Sequence, residues 1–74
     1  MLHLQPTRVR LGPDENGCLV YMDGALIAVL VQLSALHEEG AGCWSVEALF
    51  GIRVHPSRIP LFATSQEAAE WLAR

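Results

Sequence analysis

Apolar residues recur along the chain at two spacings, one typical of helices and one typical of strands. The helical spacing predicts a helix in the last part of the chain. Between Ala68 and Leu72 they recur at i, i+3 and i+4, which is the spacing of one helical face. Thr64 precedes Glu67 by three residues, the capping-box arrangement in which the hydroxyl and the carboxylate each bond a backbone N–H at the helix start. The pattern therefore predicts a helix over about Ser65–Ala73.

The longest apolar stretch is interrupted by Asp23-Gly24, and this pair predicts a β-hairpin. Asp-Gly is preferred in two-residue type I′ turns because both central residues need a positive φ, and such a turn fixes the register of the strands. The predicted cross-strand pairs are Met22 with Ala25, Tyr21 with Leu26, Val20 with Ile27, and Cys18 with Val29. Residues 25–31 lack strict alternation, so a short buried helix is the alternative for the second arm, but their β-branched content favours a strand.

The second spacing, strict alternation, predicts a strand after the turn-like residues 37–42. Apolar and polar residues alternate from Cys43 to Phe50, which is typical of a half-buried strand. Thr7–Leu11 is a further candidate strand, so the sheet has three strands without it and four with it. Residues 51–60 contain two prolines and a glycine, which predicts an irregular connection with a short extended piece at Ile52–Val54.

These elements together predict one α+β domain over residues 1–74. Its architecture is a three- or four-stranded antiparallel sheet, a β-meander, with one C-terminal helix packed on one face. A chain of this length buries only ~60% of the surface that it exposes when unfolded. Self-association is one of the additions that commonly stabilise such small domains.

The predicted register divides the strand residues between two faces. The face under the helix is expected to carry Val20, Ile27, Val29, Val31, Leu33, Trp44, Val46 and Phe50. The face turned away from the helix is expected to carry Leu19, Tyr21, Leu26, Ala28, Leu30 and Leu49. A sheet face open to water is usually polar, and an apolar one usually marks an interface.

We therefore expect a protein-interaction module that forms a two-fold homodimer through an interface of Leu19, Tyr21, Leu26, Leu30 and Leu49. Binding of another protein is the first alternative. Coverage of this face by the N-terminal strand or by the proline-rich segment is the second. Glu47 lies on the same predicted face and suits pairing with Arg8 or Arg10, on an adjacent strand or on a partner chain. These three residues are the candidate polar site.

Charge and hydropathy exclude several classes of protein. Eight acidic residues, five arginines and no lysine give a net charge of −3, whereas nucleic-acid binding depends on clustered cationic side chains. This balance argues against nucleic acid as the main partner. An apolar content of 51% argues against disorder. No apolar run approaches the ~20 residues of a membrane span, and residues 1–10 lack the apolar region of a signal peptide, so we expect a cytoplasmic protein.

No spacing in the sequence predicts a catalytic centre, a metal or a cofactor. Cys18 and Cys43 form no Cys-x-x-Cys motif and are predicted to lie too far apart for a disulfide. His37 with its neighbouring glutamates gives an incomplete ligand set for structural zinc. Trp44 and Trp71 occupy predicted core positions. We expect no enzyme, and a small-ligand binder or enzyme is the third alternative, requiring a pocket between the proline-rich connection and the helix.

Two stretches resemble known families. The segment FATSQEAAEWL resembles the end of the arm-type DNA-binding domains of tyrosine integrases, with matches at Phe62, Thr64, Glu67, Ala68, Trp71 and Leu72. This resemblance implies a sheet that enters the DNA major groove, although the matching face here is apolar. A weak or degenerate sheet-type DNA-binding domain is therefore the alternative function. It requires a cluster of Arg8, Arg10, Arg53 and Arg58.

The layout as a whole also resembles small uncharacterised proteobacterial proteins. They have a hairpin, a Trp…Glu…Phe-Gly strand and a C-terminal Glu-Ala-x-x-Trp helix. The matching residues are Trp44, Glu47, Phe50, Gly51, Glu67, Ala68 and Trp71. This resemblance implies a bacterial origin and brings no activity with it.

Overall fold

The computed structural model describes residues 1–12, 14–34, 39–51 and 58–74. Its elements are β1 (Leu2–Leu11), β2 (Asp14–Met22), β3 (Ala25–Gln32), β4 (Trp44–Leu49) and α1 (Ser65–Leu72). The strands form one antiparallel sheet in the order β1-β2-β3-β4. This confirms the predicted α+β meander, with four strands and one C-terminal helix. The predicted extended piece at Ile52–Val54 lies outside the described residues.

β1 starts earlier than predicted and accommodates Pro6 because it is an edge strand. The amide of Asp23 donates to the carbonyl of Met1 at 3.1 Å, so the first pair of the β1–β2 ladder is of the type without mutual hydrogen bonds. Pair types alternate, and the pair of Pro6 with Cys18 is again of this type. The nitrogen of Pro6 therefore faces away from β2, and its missing N–H removes no bond from the ladder.

The predicted hairpin turn is present between β2 and β3. Asp23 and Gly24 have φ values of 51° and 86°, the positive values that a type I′ turn requires. The two pairs next to the turn are as predicted, Met22 with Ala25 and Tyr21 with Leu26. The second arm is a strand, and the alternative of a buried helix is wrong.

A β-bulge in β3 changes the register beyond these two pairs. Ile27 is an extra residue with no partner on β2. The corrected pairs are Val20 with Ala28 and Cys18 with Leu30, in place of Ile27 and Val29. Because a slip of one residue moves a side chain to the other face of a sheet, the predicted faces of β3 are reversed from Ala28 onward.

The core lies between the sheet and α1. It contains Cys18, Val20, Ala28, Leu30, Val46, Phe62, Ala68, Ala69 and Leu72, and Ile27, Trp44, Leu49 and Trp71 pack against it. Leu30 is 0% exposed, so its predicted place on the face turned away from the helix is wrong. The same correction applies to Leu49. Both side chains belong to the helix side of the sheet.

The face opposite the helix is called the outer face from here on. By pairing and alternation it carries His3, Gln5, Thr7, Glu15, Gly17, Leu19, Tyr21, Leu26, Val29, Val31, Ser45, Ala48 and, by alternation directly after β4, Phe50. Val29, Val31 and Phe50 were expected under the helix and are corrected to this face. A second bulge leaves Glu47 without a partner on β3, since Val46 lies opposite Leu30 and Ala48 opposite Val29.

Local contacts fix α1 against the edge of the sheet. The Thr64 hydroxyl accepts a hydrogen bond of 3.1 Å from the amide of Glu67, which confirms the predicted N-cap. Trp44 and Phe62 exchange backbone hydrogen bonds of 2.7 and 3.0 Å, so the segment before the helix borders β4. The rings of Phe62 and Trp71 lie 5.8 Å apart. Both tryptophans therefore pack against the core, as predicted.

The corrected register can be tested by comparing two leucines on opposite faces. Leu30→Ala should lower the free energy of unfolding by about 3 to 5 kcal/mol, because it opens a cavity in the core. Leu19→Ala should cost about 1 kcal/mol, because this side chain is already partly exposed. Urea unfolding followed by circular dichroism at low micromolar concentration measures both. Equal losses would contradict the register.

Candidate functional site

The outer face is a candidate interface because a continuous apolar surface runs across three of its strands. Gln5, Leu19, Val29 and Ala48 lie opposite one another in a row that crosses the sheet. Tyr21 and Leu26 lie next to this row, and the side chains of Leu19, Tyr21, Leu26, Val29 and Ala48 are half-buried. Leu19, Tyr21, Leu26, Val29 and Ala48 are uncharged, and Glu15, which alternation assigns to this face, lies at the far end of β2 in an ion pair with Arg8. Such a surface can bind another apolar surface without desolvating a charge.

Two aromatic rings are neighbours at one end of the outer face, and Phe50 lies just beyond β4. The rings of His3 and Tyr21 lie 5.9 Å apart. Phe50 follows β4 and is 50% exposed, and its amide donates to the carbonyl of Ile27 at 2.9 Å. The backbone is therefore still held to the sheet where the exposed ring projects. Aromatic side chains on a rigid backbone are the usual anchors of protein interfaces.

The other end of the outer face is already buried at Val31 and Gly17. Val31 is 1% exposed although it does not belong to the core under α1. Gly17 lies opposite it, and a Cβ built on Gly17 would be 3.0 Å from a methyl group of Val9. Val9 thus occupies the space that a side chain at position 17 would need. This leaves Leu19, Tyr21, Leu26, Val29, Ala48 and Phe50 as the available apolar surface.

Sequence reasoning found three residues of this surface and missed the others. Leu19, Tyr21 and Leu26 lie where they were predicted, whereas Leu30 and Leu49 lie in or against the core. Val29, Ala48 and Phe50 were missed. The sequence did contain a warning. Residues 25–31 do not alternate between apolar and polar, so their pattern cannot identify which side chains of that strand face the core.

The candidate polar site is not assembled within one chain. Glu47 lies on β4 and both arginines on β1, at opposite edges of the sheet and ~14 Å apart at a strand spacing of ~4.8 Å. Pairing across adjacent strands is therefore wrong, and pairing with a partner chain stays a prediction. Arg8 forms an exposed ion pair with Glu15. A depression of about 330 Å³ next to this pair is lined by Arg8, Val9, Arg10 and Glu15.

The arginine cluster that DNA binding would require also lacks support from the positions of the described arginines. Arg8 is already paired with a carboxylate, which reduces the positive charge that it can offer to a phosphate. Arg53 lies outside the described residues, so a cluster of all four arginines stays a prediction.

Both cysteines are free thiols, in agreement with the predicted absence of a disulfide. Cys18 lies in the core, 3% exposed, and Cys43 is half-buried just before β4. Burial raises the pKa of the Cys18 thiol, and hydrogen bonding with the backbone of Gln5 and the side chain of Ser65 opposes this rise less strongly. At neutral pH Cys18 is therefore an uncharged thiol, and the thiolate is the reactive form.

Neither a metal centre nor a membrane helix is found within the described ranges. No three His, Cys, Asp or Glu side chains of residues 1–12, 14–34, 39–51 and 58–74 lie close enough together to hold a metal ion. His37 is outside these ranges. No helix in the same ranges has the length and apolar character needed to cross a bilayer.

Comparison of the chain with protein-family models, with curated proteins and with solved structures found no match. The two resemblances noted in the sequence therefore stay predictions. Any functional conclusion has to come from the surfaces of the molecule itself.

The buried thiol predicts a pH dependence of stability. Because the pKa of Cys18 is raised from 9.0 on folding, the unfolded thiol ionises first as the pH rises. This contribution to stability is thus complete below about pH 9 and is lost as the pH rises through the folded-state pKa. Urea unfolding between about pH 7.5 and 10.5 should show a steeper alkaline loss for wild type and Cys43→Ala than for Cys18→Ala. The same dependence of stability on pH in all three proteins would contradict the assignment to Cys18.

Proposed function

We propose that the chain is a small protein-interaction module that pairs with a second copy of itself through the outer face. The observation that carries this proposal is the row of Leu19, Val29 and Ala48, an apolar and uncharged surface on the side of the sheet away from the helix. Among the described elements only α1 lies outside the sheet, and it covers the opposite face. No element of the described residues covers the outer face, and we propose that a second surface buries its side chains.

A second copy fits this surface better than a charged partner does. In a two-fold contact the same patch occurs on both sides, so an apolar surface packs against an apolar surface. A chain with a net charge of −3 repels its copies wherever acidic groups face each other, but the proposed contact surface of Leu19, Tyr21, Leu26, Val29, Ala48 and Phe50 includes no acidic group. Homodimer interfaces are also more apolar than the average protein surface, as this face is.

The dimensions of the patch predict a weak dimer. It spans three strands, ~14 Å, and about five residues along each strand, ~17 Å. Two such patches stacked ~10 Å apart, as in a β-sandwich, would bury less than ~1,000 Å² in total, including their rims. This is the lower limit for specific interfaces. We therefore expect a dissociation constant in the micromolar range and rapid exchange between monomer and dimer.

The residues at the aromatic end should contribute most to this contact. Phe50 is half exposed in the monomer, so burying it gains apolar contact without first disrupting any packing. Tyr21 is half-buried next to His3 and offers a flat, rigid surface. The central row supplies shape and excludes water around these anchors.

Sedimentation from about 1 to 300 µM, at low and high salt, tests the proposal. Wild type should show a concentration-dependent rise from monomer to dimer that changes little with salt, because the contact is apolar. Val29→Glu should stay monomeric at all concentrations, because pairing would bury two like charges. Ala63→Glu, which adds the same charge at an exposed position before α1, should dimerise like wild type.

Phe50→Ser provides a second variant in case Val29→Glu fails to fold. Its side chain is half exposed in the monomer, so circular dichroism and thermal unfolding at 1 µM should differ little from wild type, while dimerisation should weaken at least tenfold. A wild-type protein that stays monomeric up to 300 µM would overturn the proposal. So would a dimer that Val29→Glu and Phe50→Ser both leave intact.

A further inference from the structure

A cleft of about 280 Å³ lies on the helix side of the sheet, beyond the first turn of α1. Its walls come from β1, β2, β3, the start of β4 and the first residue of the helix. It is lined by Pro6, Thr7, Asn16, Gly17, Cys18, Gln32, Trp44 and Ser65. This volume equals about nine water molecules at ~30 Å³ each, which is the size of a ring with one substituent.

The side chains that line the cleft, among the residues that the structure describes, are uncharged at neutral pH. The described lining residues include no Asp, Glu, Arg or His, and the thiol of Cys18 is 3% exposed and neutral because burial raises its pKa. A charged ligand would lose hydration here without gaining an opposite charge. The composition of the cleft therefore favours a neutral ligand.

Two carboxamides form the polar side of the cleft. Asn16 Nδ2 donates to Gln32 Oε1 at 3.4 Å, and Gln32 Nε2 donates to the carbonyl of Gly42 at 3.0 Å. Each primary amide has two N–H donors and one carbonyl acceptor. These two bonds leave Asn16 Oδ1 and one N–H of each amide for a ligand. The free groups are those that pair with an amide edge, in which a carbonyl and an N–H lie side by side.

Trp44 gives the cleft a flat apolar wall in a fixed position. It lies opposite Gln32 in the sheet, and its backbone is bonded to Phe62 on the other side at 2.7 and 3.0 Å. An indole held in this way offers a planar group an offset-stacked or edge-to-face contact. The wall and the carboxamides are neighbours, so one small molecule can contact both.

We propose that this cleft binds a small, neutral, planar molecule that carries an amide edge, such as an aromatic carboxamide or a lactam ring. The carboxamides of Asn16 and Gln32 pair with the amide edge, and the ring packs on Trp44. Because the cleft is open and the ligand has about nine non-hydrogen atoms, we expect a dissociation constant on the order of 1 mM for a minimal ligand. This site lies on the helix side and is independent of the outer-face interface.

Benzamide and benzoate are the matched probes, since they share a shape and differ in charge. Titration into ¹⁵N-labelled protein should give saturable shifts of the Trp44 indole N–H and of the Asn16 and Gln32 side-chain amides with benzamide. Benzoate should bind at least tenfold more weakly. The indole N–H of Trp71, which packs on Phe62 away from the cleft, serves as the internal control and should not move.

Variants test whether the carboxamides recognise the ligand. Asn16→Ala changes an exposed side chain and should weaken benzamide binding at least fivefold without unfolding the protein. Gln66→Ala removes an exposed carboxamide on α1, one that donates to Glu70 at 3.0 Å, and should bind like wild type. Equal binding of benzoate and benzamide, shifts that do not saturate, or an Asn16→Ala variant that binds like wild type would each overturn the proposal.

Discussion

The pairing of β2 with β3 is the constraint on which the rest of the molecule depends. The Asp-Gly turn starts the hairpin in one register, and the extra residue at Ile27 changes it before the strands reach the core. Leu30 and Ala28 are thereby brought under α1, with Val20 and Cys18 beside them. Without the bulge Val29 would face the helix in place of Leu30 and Ala28. The core cluster instead contains Leu30 and Ala28 together with the small helix residues Ala68 and Ala69.

The composition of β3 gives the sheet two apolar faces. A strand made almost entirely of apolar residues, such as β3, carries hydrophobic side chains on both sides whichever register it adopts. One eight-residue helix covers one side only. The bulge therefore decides which apolar set becomes the core of the monomer and which set becomes the outer face. Fold and proposed interface are thus consequences of one backbone irregularity.

Features that depend on neighbouring residues could be predicted from the sequence, and features that depend on packing could not. The cap at Thr64, the turn at Asp23 and the helix each involve residues within four positions of one another. The bulge at Ile27 depends on what β2 and α1 place against β3, which no local pattern contains. β1 was predicted too short because Pro6 disfavours a strand except at an edge, and the edge position is a property of the whole sheet. The cleft beside Trp44 joins residues from four strands and the helix, so it has no signal in the sequence.

The edge of β1 has a consequence for how large an assembly of this protein can grow. A free strand edge invites another strand to add to it, and repeated addition produces fibres. On β1 the outward-facing position at Pro6 has no hydrogen to donate, and on the far side of the sheet Phe62 already takes up the backbone groups of Trp44. Growth by strand addition is thus impeded at both edges. The proposed contact between outer faces is the route left open, and it ends once two faces have met.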